Sequence, residues 1–123
     1  MEILTILAAL QIKHYIADFW IQSYAQTIKK GIYWDPVGFS HTLDHVAGTL
    51  LVLLILIPFI NISPILILFC GLIDLIVHYH VDWLKVRFGC KDNCNPKYWR
   101  EFGADQFAHQ VTYLLFAYLL INR

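Results

Sequence analysis

Four short ionisable patterns stand out because each repeats one spacing. His14 and Asp18 lie four residues apart with Gln22 four further on, and His41 and His45 show the same step with Asp44 beside them. Asp74, His78 and Asp82 extend it twice, with Lys85 and His80 close by, and Asp105 and His109 repeat it with Gln106 between them. On a helix an i, i+4 spacing puts side chains on one stripe. Imidazole and carboxylate from facing helices are what a divalent metal needs, and helical bundles build such sites from inward pairs of this kind. The candidate ligands are therefore His14, Asp18, His41, His45, His78, Asp82, Asp105 and His109. Zinc, manganese and iron all accept mixed His/Asp shells, so the set implies a divalent metal without choosing among them.

Each residue also has a plain structural reading. A single histidine in an apolar helix is usually a hydrogen-bonded packing residue, and Asp18, Asp82 or Asp105 alone would pair with Lys13, Lys85 or Arg100. Independent accidents explain one such pair well and four poorly. For His80, Asp44 and Cys70 taken singly the structural reading is favoured. Cys90 and Cys94 form a lone C-x3-C in a polar loop, which is read as reduced free thiols; three cysteines indicate no disulfide framework.

The elements that must carry these stripes follow from composition. The chain has 123 residues, enough for one domain, with 59% hydrophobic and only 15% charged residues, a mean hydropathy of +0.57, and no formal charge from Val46 to Ile73. Soluble domains carry about 25% charged residues, so a disordered chain and a soluble monomer are both excluded. Lys+Arg and Asp+Glu are 9 each, which leaves no bulk electrostatic footprint for nucleic acid. No basic n-region or small-residue cleavage site marks a signal peptide.

Apolar periodicity and punctuation predict an all-α integral membrane bundle of four transmembrane helices in a single domain over 1–123. The helices are expected at about 3–29, 39–60, 64–88 and 99–122, with Lys29-Lys30-Gly31 closing the first, Ser40 as a cap for the second and Pro64 opening the third. Each is long enough for a hydrocarbon core of about 30 Å. Short connections make neighbours antiparallel. Basic residues 13, 29, 30, 85, 87, 91, 97 and 100 then share one face and Arg123 alone takes the other. By the positive-inside rule the shared face is cytoplasmic and both termini lie on the non-cytoplasmic side, as in a bacterial inner membrane. All four ionisable pairs fall in the half of their helix nearest that face.

The series H-x3-D-F-x2-Q at His14 to Gln22, His41 to His45, H-x3-D-x2-K at His78 to Lys85, and D-Q-x2-H at Asp105 to His109 resembles a family of small bacterial and phage integral membrane proteins known only as a domain of unknown function. The resemblance covers nearly the whole chain and implies a four-helix membrane fold with these positions as its signature, and no activity. The pattern of intramembrane His and Asp is more distantly similar to membrane-bound metal-dependent hydrolases.

The leading expectation is a membrane-embedded metal-dependent hydrolase acting on a lipid or phosphoester-type substrate at the cytoplasmic leaflet. A metal would activate water, Asp18 or Asp82 would serve as general base, and Lys85, with Arg87, would suit an anionic substrate. Topology alone also accounts for those two cations. The alternatives are a proton or metal-ion transporter, and a non-catalytic membrane protein whose His/Asp cluster only locks the helices. The outer helix halves lack ionisable groups, which counts against a through-path in a monomer; a homo-oligomer would leave one open at its interface.

Overall fold

The computed structural model describes residues 1–122; Arg123, expected as the one basic residue of the opposite face, lies outside them. The fold is all-helical: α1 (Glu2–Ile16), a π-helical turn (Ala17–Ile21), α2 (Tyr24–Lys29), α3 (Pro36–Leu56), α4 (Pro64–Phe88) and α5 (Pro96–Ile121). Where one helix over 3–29 is expected, the chain makes three pieces. The amide of Gln22 bonds back five residues to the Ala17 carbonyl, and Gln22 itself turns extended at ψ 119°. Ser23 and Gln26 then form a reciprocal capping box that starts α2 afresh. α3 begins three residues ahead of its expected start because Asp35, and not Ser40, is the cap. Its carboxylate accepts from the amides of Val37 and Gly38, and Pro36 at the first helical position has no amide to satisfy. Asn95 with Pro96 starts α5 in the same way.

The four long helices close a ring, α1 on α3, α3 on α4, α4 on α5 and α5 back on α1. Its interior has two zones. At one end Ile6 and Leu10, Leu53 and Leu56, Ile67 and Cys70, and Phe116 and Leu120 make an apolar core. At the other, the C-terminal halves of α1 and α4 meet the N-terminal halves of α3 and α5 and bury His14, His41, His45, His78 and His109 with Asp74, Asp82 and Asp105. This alternation makes ring neighbours antiparallel and puts Met1 and Asn122 at the apolar end.

The exterior reverses the usual distribution. Ile12 on α1, Leu51 and Ile55 on α3, Leu68 and Leu72 on α4, and Phe107 and Leu114 on α5 are all more than half exposed while charges lie inside. Contiguous apolar surface on this scale marks a partner or a membrane. Of the four expected spans, α3 and α4 are long and apolar enough to cross a membrane. α1 holds regular geometry for only 15 residues, and the first turns of α5 carry Lys97, Arg100, Glu101 and Asp105.

The segment between α1 and α3 is pinned over the polar end. A Cβ on Gly38 would lie 2.5 Å from the Lys29 carbonyl oxygen and 2.6 Å from the Lys30 nitrogen, so only glycine lets the end of α2 sit on α3. The Trp34 backbone is left-handed (φ 62°), its amide donates to Tyr79 Oη at 2.7 Å and its ring stacks on Tyr79. Gly38→Ala should therefore destabilise the protein by about 1–3 kcal/mol, the cost of overpacking, read as a lower unfolding midpoint in detergent. Ala at the open position Gly103, which has nothing within 4 Å, serves as the control.

Candidate metal centre

Asp18 opens the π-helical turn one four-residue step beyond His14 and reaches into the ring. Its Oδ1 lies 2.9 Å from His45 Nε2 and 3.1 Å from His41 Nε2, and its Oδ2 lies 3.1 Å from His14 Nε2. π-turns inside α-helices are frequent at functional sites. Across the ring, Asp82 Oδ1 lies 3.3 Å from His109 Nε2, while Asp82 Oδ2 lies 3.4 Å from His41 Nε2 and 3.6 Å from His78 Nε2. Asp105 Oδ1 is 3.3 Å from the same His109 nitrogen. The His78 ring lies between those of His45 and His109, with centroids 3.6 and 4.0 Å away.

All eight expected ligands thus come together. Among the described residues, two subsets have ligand atoms within 4.8 Å of one another: Asp18, His41, His45 and His78, and separately His78, Asp82 and His109. His14 and Asp105 are at the cluster's edge and belong to neither. The chemistry of the set fits a divalent ion, and so does its hydrogen bonding. Both ring nitrogens of His78 and His41 Nδ1 are buried with no hydrogen bond. Buried polar groups are nearly always paired, and each exception calls for an explanation. His78, fully buried and common to both subsets, is the sharpest one.

Three lysines complete the electrostatics. Lys30 donates to Asp82 Oδ2 at 2.8 Å and Lys85 to Asp105 Oδ2 at 3.0 Å. Burial of Lys30 favours the neutral amine, but Asp82, through its charge and its hydrogen bond, and the charges of Asp18 and Asp105 outweigh this and hold its pKa above the ordinary value. Lys13 pairs with Asp74 at 3.1 Å, not with Asp18, both side chains being buried. It also reaches Tyr113 Oη at 3.1 Å and His45 Nδ1 at 3.3 Å. Thr49 Oγ1 donates to the same Asp74 oxygen at 2.6 Å.

Lys13, Lys30, Thr49 and Tyr113 were not among the candidates, and Asp74 only as part of its stripe. The signal for most of them is the same four-residue step, since Thr49 follows His45, Tyr113 follows His109 and Asp74 precedes His78. Lys13 falls on the buried stripe Ile6, Leu10, Ala17. Lys30 had no such signal, because it arrives through the break after Ile21.

The residues set aside stay apart. His80 Nδ1 bonds the Ile76 carbonyl at 2.7 Å on the exposed side, Asp44 accepts from Gln26, and Cys70 belongs to the apolar core. Cys90 and Cys94 are free thiols directed at Asp92 O and Asn93 Oδ1.

Beside the cluster a cavity of about 490 Å³ runs from Asp18, Lys30, Asp105 and Gln106 to the exposed Phe19 and Ile28, with Lys85, Lys91 and Phe102 also in its lining. Lys85 Nζ sits 4.4 Å above the Phe102 ring. The cavity therefore joins ionic groups of the cluster to an apolar rim.

A family model described as "Protein of unknown function (DUF3307)" matches residues 6–123. No curated protein and no solved structure matches the chain, so the similarity to membrane-bound metal-dependent hydrolases rests on the residue pattern alone.

Proposed function

Because the chain belongs to the DUF3307 family of unknown function and inherits no activity from it, we propose from the site alone that it is a membrane-embedded, metal-dependent hydrolase of a lipid or phosphoester-type substrate. The observation that carries this reading is His78, buried with neither ring nitrogen hydrogen-bonded, at the meeting point of both ligand subsets. The apolar exterior supports four spans, α1 with its π-turn, α3, α4 and α5, and the basic residues gathered toward the polar end make that end cytoplasmic.

His78, Asp82 and His109 would hold the ion, with His41 beside them. A divalent ion bound there would supply Lewis-acid polarisation and a more acidic water. Asp18, facing both cluster and cavity, accepts the proton as general base. Lys85 in the cavity lining offers its ammonium to an anionic substrate, and Phe19, Ile28 and Phe102 receive its apolar part. The closed apolar layer from Ile6 to Leu120 gives a transport path no exit through the monomer.

Purified protein should contain stoichiometric divalent metal and hydrolyse a member of a panel of lipid phosphates and soluble phosphoesters, with turnover abolished by chelation and restored by the ion. Asp82→Asn should lose both metal and turnover. Lys85→Gln should keep the metal and lose about tenfold in kcat/KM, equivalent to about 1.4 kcal/mol of transition-state stabilisation. Protein that folds and holds no metal would end this reading.

A further inference from the structure

We propose that the substrate is a membrane lipid bearing a phosphate and carbonyl-linked chains, taken sideways from the cytoplasmic leaflet, with its phosphate at Lys91 and Lys85, its linkage at a Gln11–Gln110 pair and one chain in the seam between α1 and α5. This rests on the hydrolase reading above for its chemistry; the lipid site itself rests on the seam and its two cavities.

The seam follows from two facing stripes. On α5, Gln106, Gln110, Leu114 and Tyr118 recur at four-residue steps, and on α1 Ile3, Leu7 and Gln11 do the same on the way to Asp18. The two helices pack on each other, and Gln11 Nε2 donates across to Gln110 Oε1. At the polar end the seam opens into the cavity of about 490 Å³, which Asp18 and Gln106 help to line. Toward the other end it holds a second hollow of about 200 Å³, lined by Ile3, Leu114, Ala117, Tyr118 and Ile121. Gln106 and Leu114 are two four-residue steps apart, about 12 Å along the helix, which is within half of a hydrocarbon core of about 30 Å. A lipid of one leaflet therefore reaches from one hollow to the other.

The Gln pair is unusual for its place. Gln11 is exposed and Gln110 half-buried, near the middle of their helices, on the side that the reading above turns to hydrocarbon. The bond between the two amides uses one N–H of Gln11 and one lone pair of Gln110. Among the described residues neither side chain makes another hydrogen bond, so the amide N–H groups of Gln110 and the amide oxygen of Gln11 are left for an outside partner. Unpaired amide groups are costly in hydrocarbon. Gln110 lies about 6 Å below Gln106 along the helix, the depth of a chain linkage under a phosphate held in the cavity. An ester or amide carbonyl there accepts from Gln110 Nε2, and a plain hydrocarbon chain has nothing to offer it.

The cavity supplies the other half of the recognition. Of its lysines, Lys30 is held by Asp82 and Lys85 by Asp105, whereas Lys91, in the loop between α4 and α5, pairs with no carboxylate among the described residues. Lys91 keeps three N–H donors for a phosphate, and Lys85 has two beyond the one on Asp105. The cavity lies between the end of α2 and the first turns of α5, and Phe19 and Ile28 in its lining are more than half exposed. Its mouth is therefore apolar, which a water-soluble phosphoester does not need and a lipid does. The cavity takes the headgroup, and the chains stay outside it along the seam.

The full chain in detergent, stripped of metal with a chelator, should retain one phosphatidic acid per chain in native mass spectrometry, and glycerol phosphate in excess should not displace it. Lys91→Gln should weaken binding about tenfold or more, as loss of a hydrogen-bonded charge does, and Gln110→Leu about 2–10-fold, with the helical circular dichroism of both unchanged. The ether-linked analogue, which has the phosphate and no carbonyl, should bind the native protein as weakly as the ester lipid binds Gln110→Leu, and that variant should not distinguish ester from ether. A phosphatidic acid with a photoreactive chain end should label Ile3, Leu114 or Tyr118 and not the outward faces of α3 and α4. Displacement by glycerol phosphate, equal ester and ether binding to the native protein, or labelling spread evenly around the bundle would each overturn the lipid site. Binding is read without metal, so lipid held by a protein that shows no turnover would support the site and end the hydrolase reading. Turnover confined to soluble phosphoesters would keep that reading and overturn this one.

Discussion

Metal-free His78→Leu should be more stable than the native protein by about 1–3 kcal/mol, and it should bind no ion. The side chain is fully buried, and both of its nitrogens are without a hydrogen-bond partner. A buried polar atom left unsatisfied costs about 1–3 kcal/mol, and replacing it with an apolar group of similar shape returns that cost. Leucine is close in volume to imidazole and fits the slot between the rings of His45 and His109. The same substitution removes the ligand shared by both candidate subsets, so affinity should fall by more than the 10–100-fold that loss of an outer partner brings. Denaturant midpoints of the metal-free proteins give the first quantity and metal analysis the second. A gain in stability together with a loss of metal is the signature of a residue kept for a site at the expense of the fold. A loss of stability would instead mean that His78 is an ordinary structural side chain, and the metal reading would lose the observation that carries it.

The stripes were legible in the sequence because an antiparallel ring preserves them. His41 and His45, Asp74 with His78 and Asp82, and Asp105 with His109 each lie on one regular helix, and a four-residue step on such a helix has one geometric outcome. What was not legible came from the one place where the helix is irregular. His14 and Asp18 keep their four-residue step, but the π-turn at Ala17–Ile21 ends the regular helix there, and the restart at Ser23 brings Lys30 onto Asp82. The S-x-x-Q box marked that restart in the sequence but competed with an apolar pattern that ran on through it. The lysines were misread for a different reason. Charge near a helix end reports topology by default, and only the stripe of Ile6 and Leu10 shows that Lys13 turns inward. The two long apolar helices were evident from composition. For α1 and α5 the proposed spans rest on their exposed apolar outward faces, which composition averages away against the polar inward ones.

Lys13 and Asp74 test whether the interior tolerates charge only in pairs. Their ion pair at 3.1 Å is buried on both sides and supported by Thr49 and Tyr113. Breaking a buried pair by removing one partner leaves an uncompensated charge and costs about 3–5 kcal/mol, whereas replacing both with apolar groups of similar volume is often neutral. Lys13→Met and Asp74→Leu should each lower stability by that amount, and the double variant should recover most of it, giving a coupling of several kcal/mol in a double-mutant cycle. Near-additive losses would mean that the two groups act through separate partners.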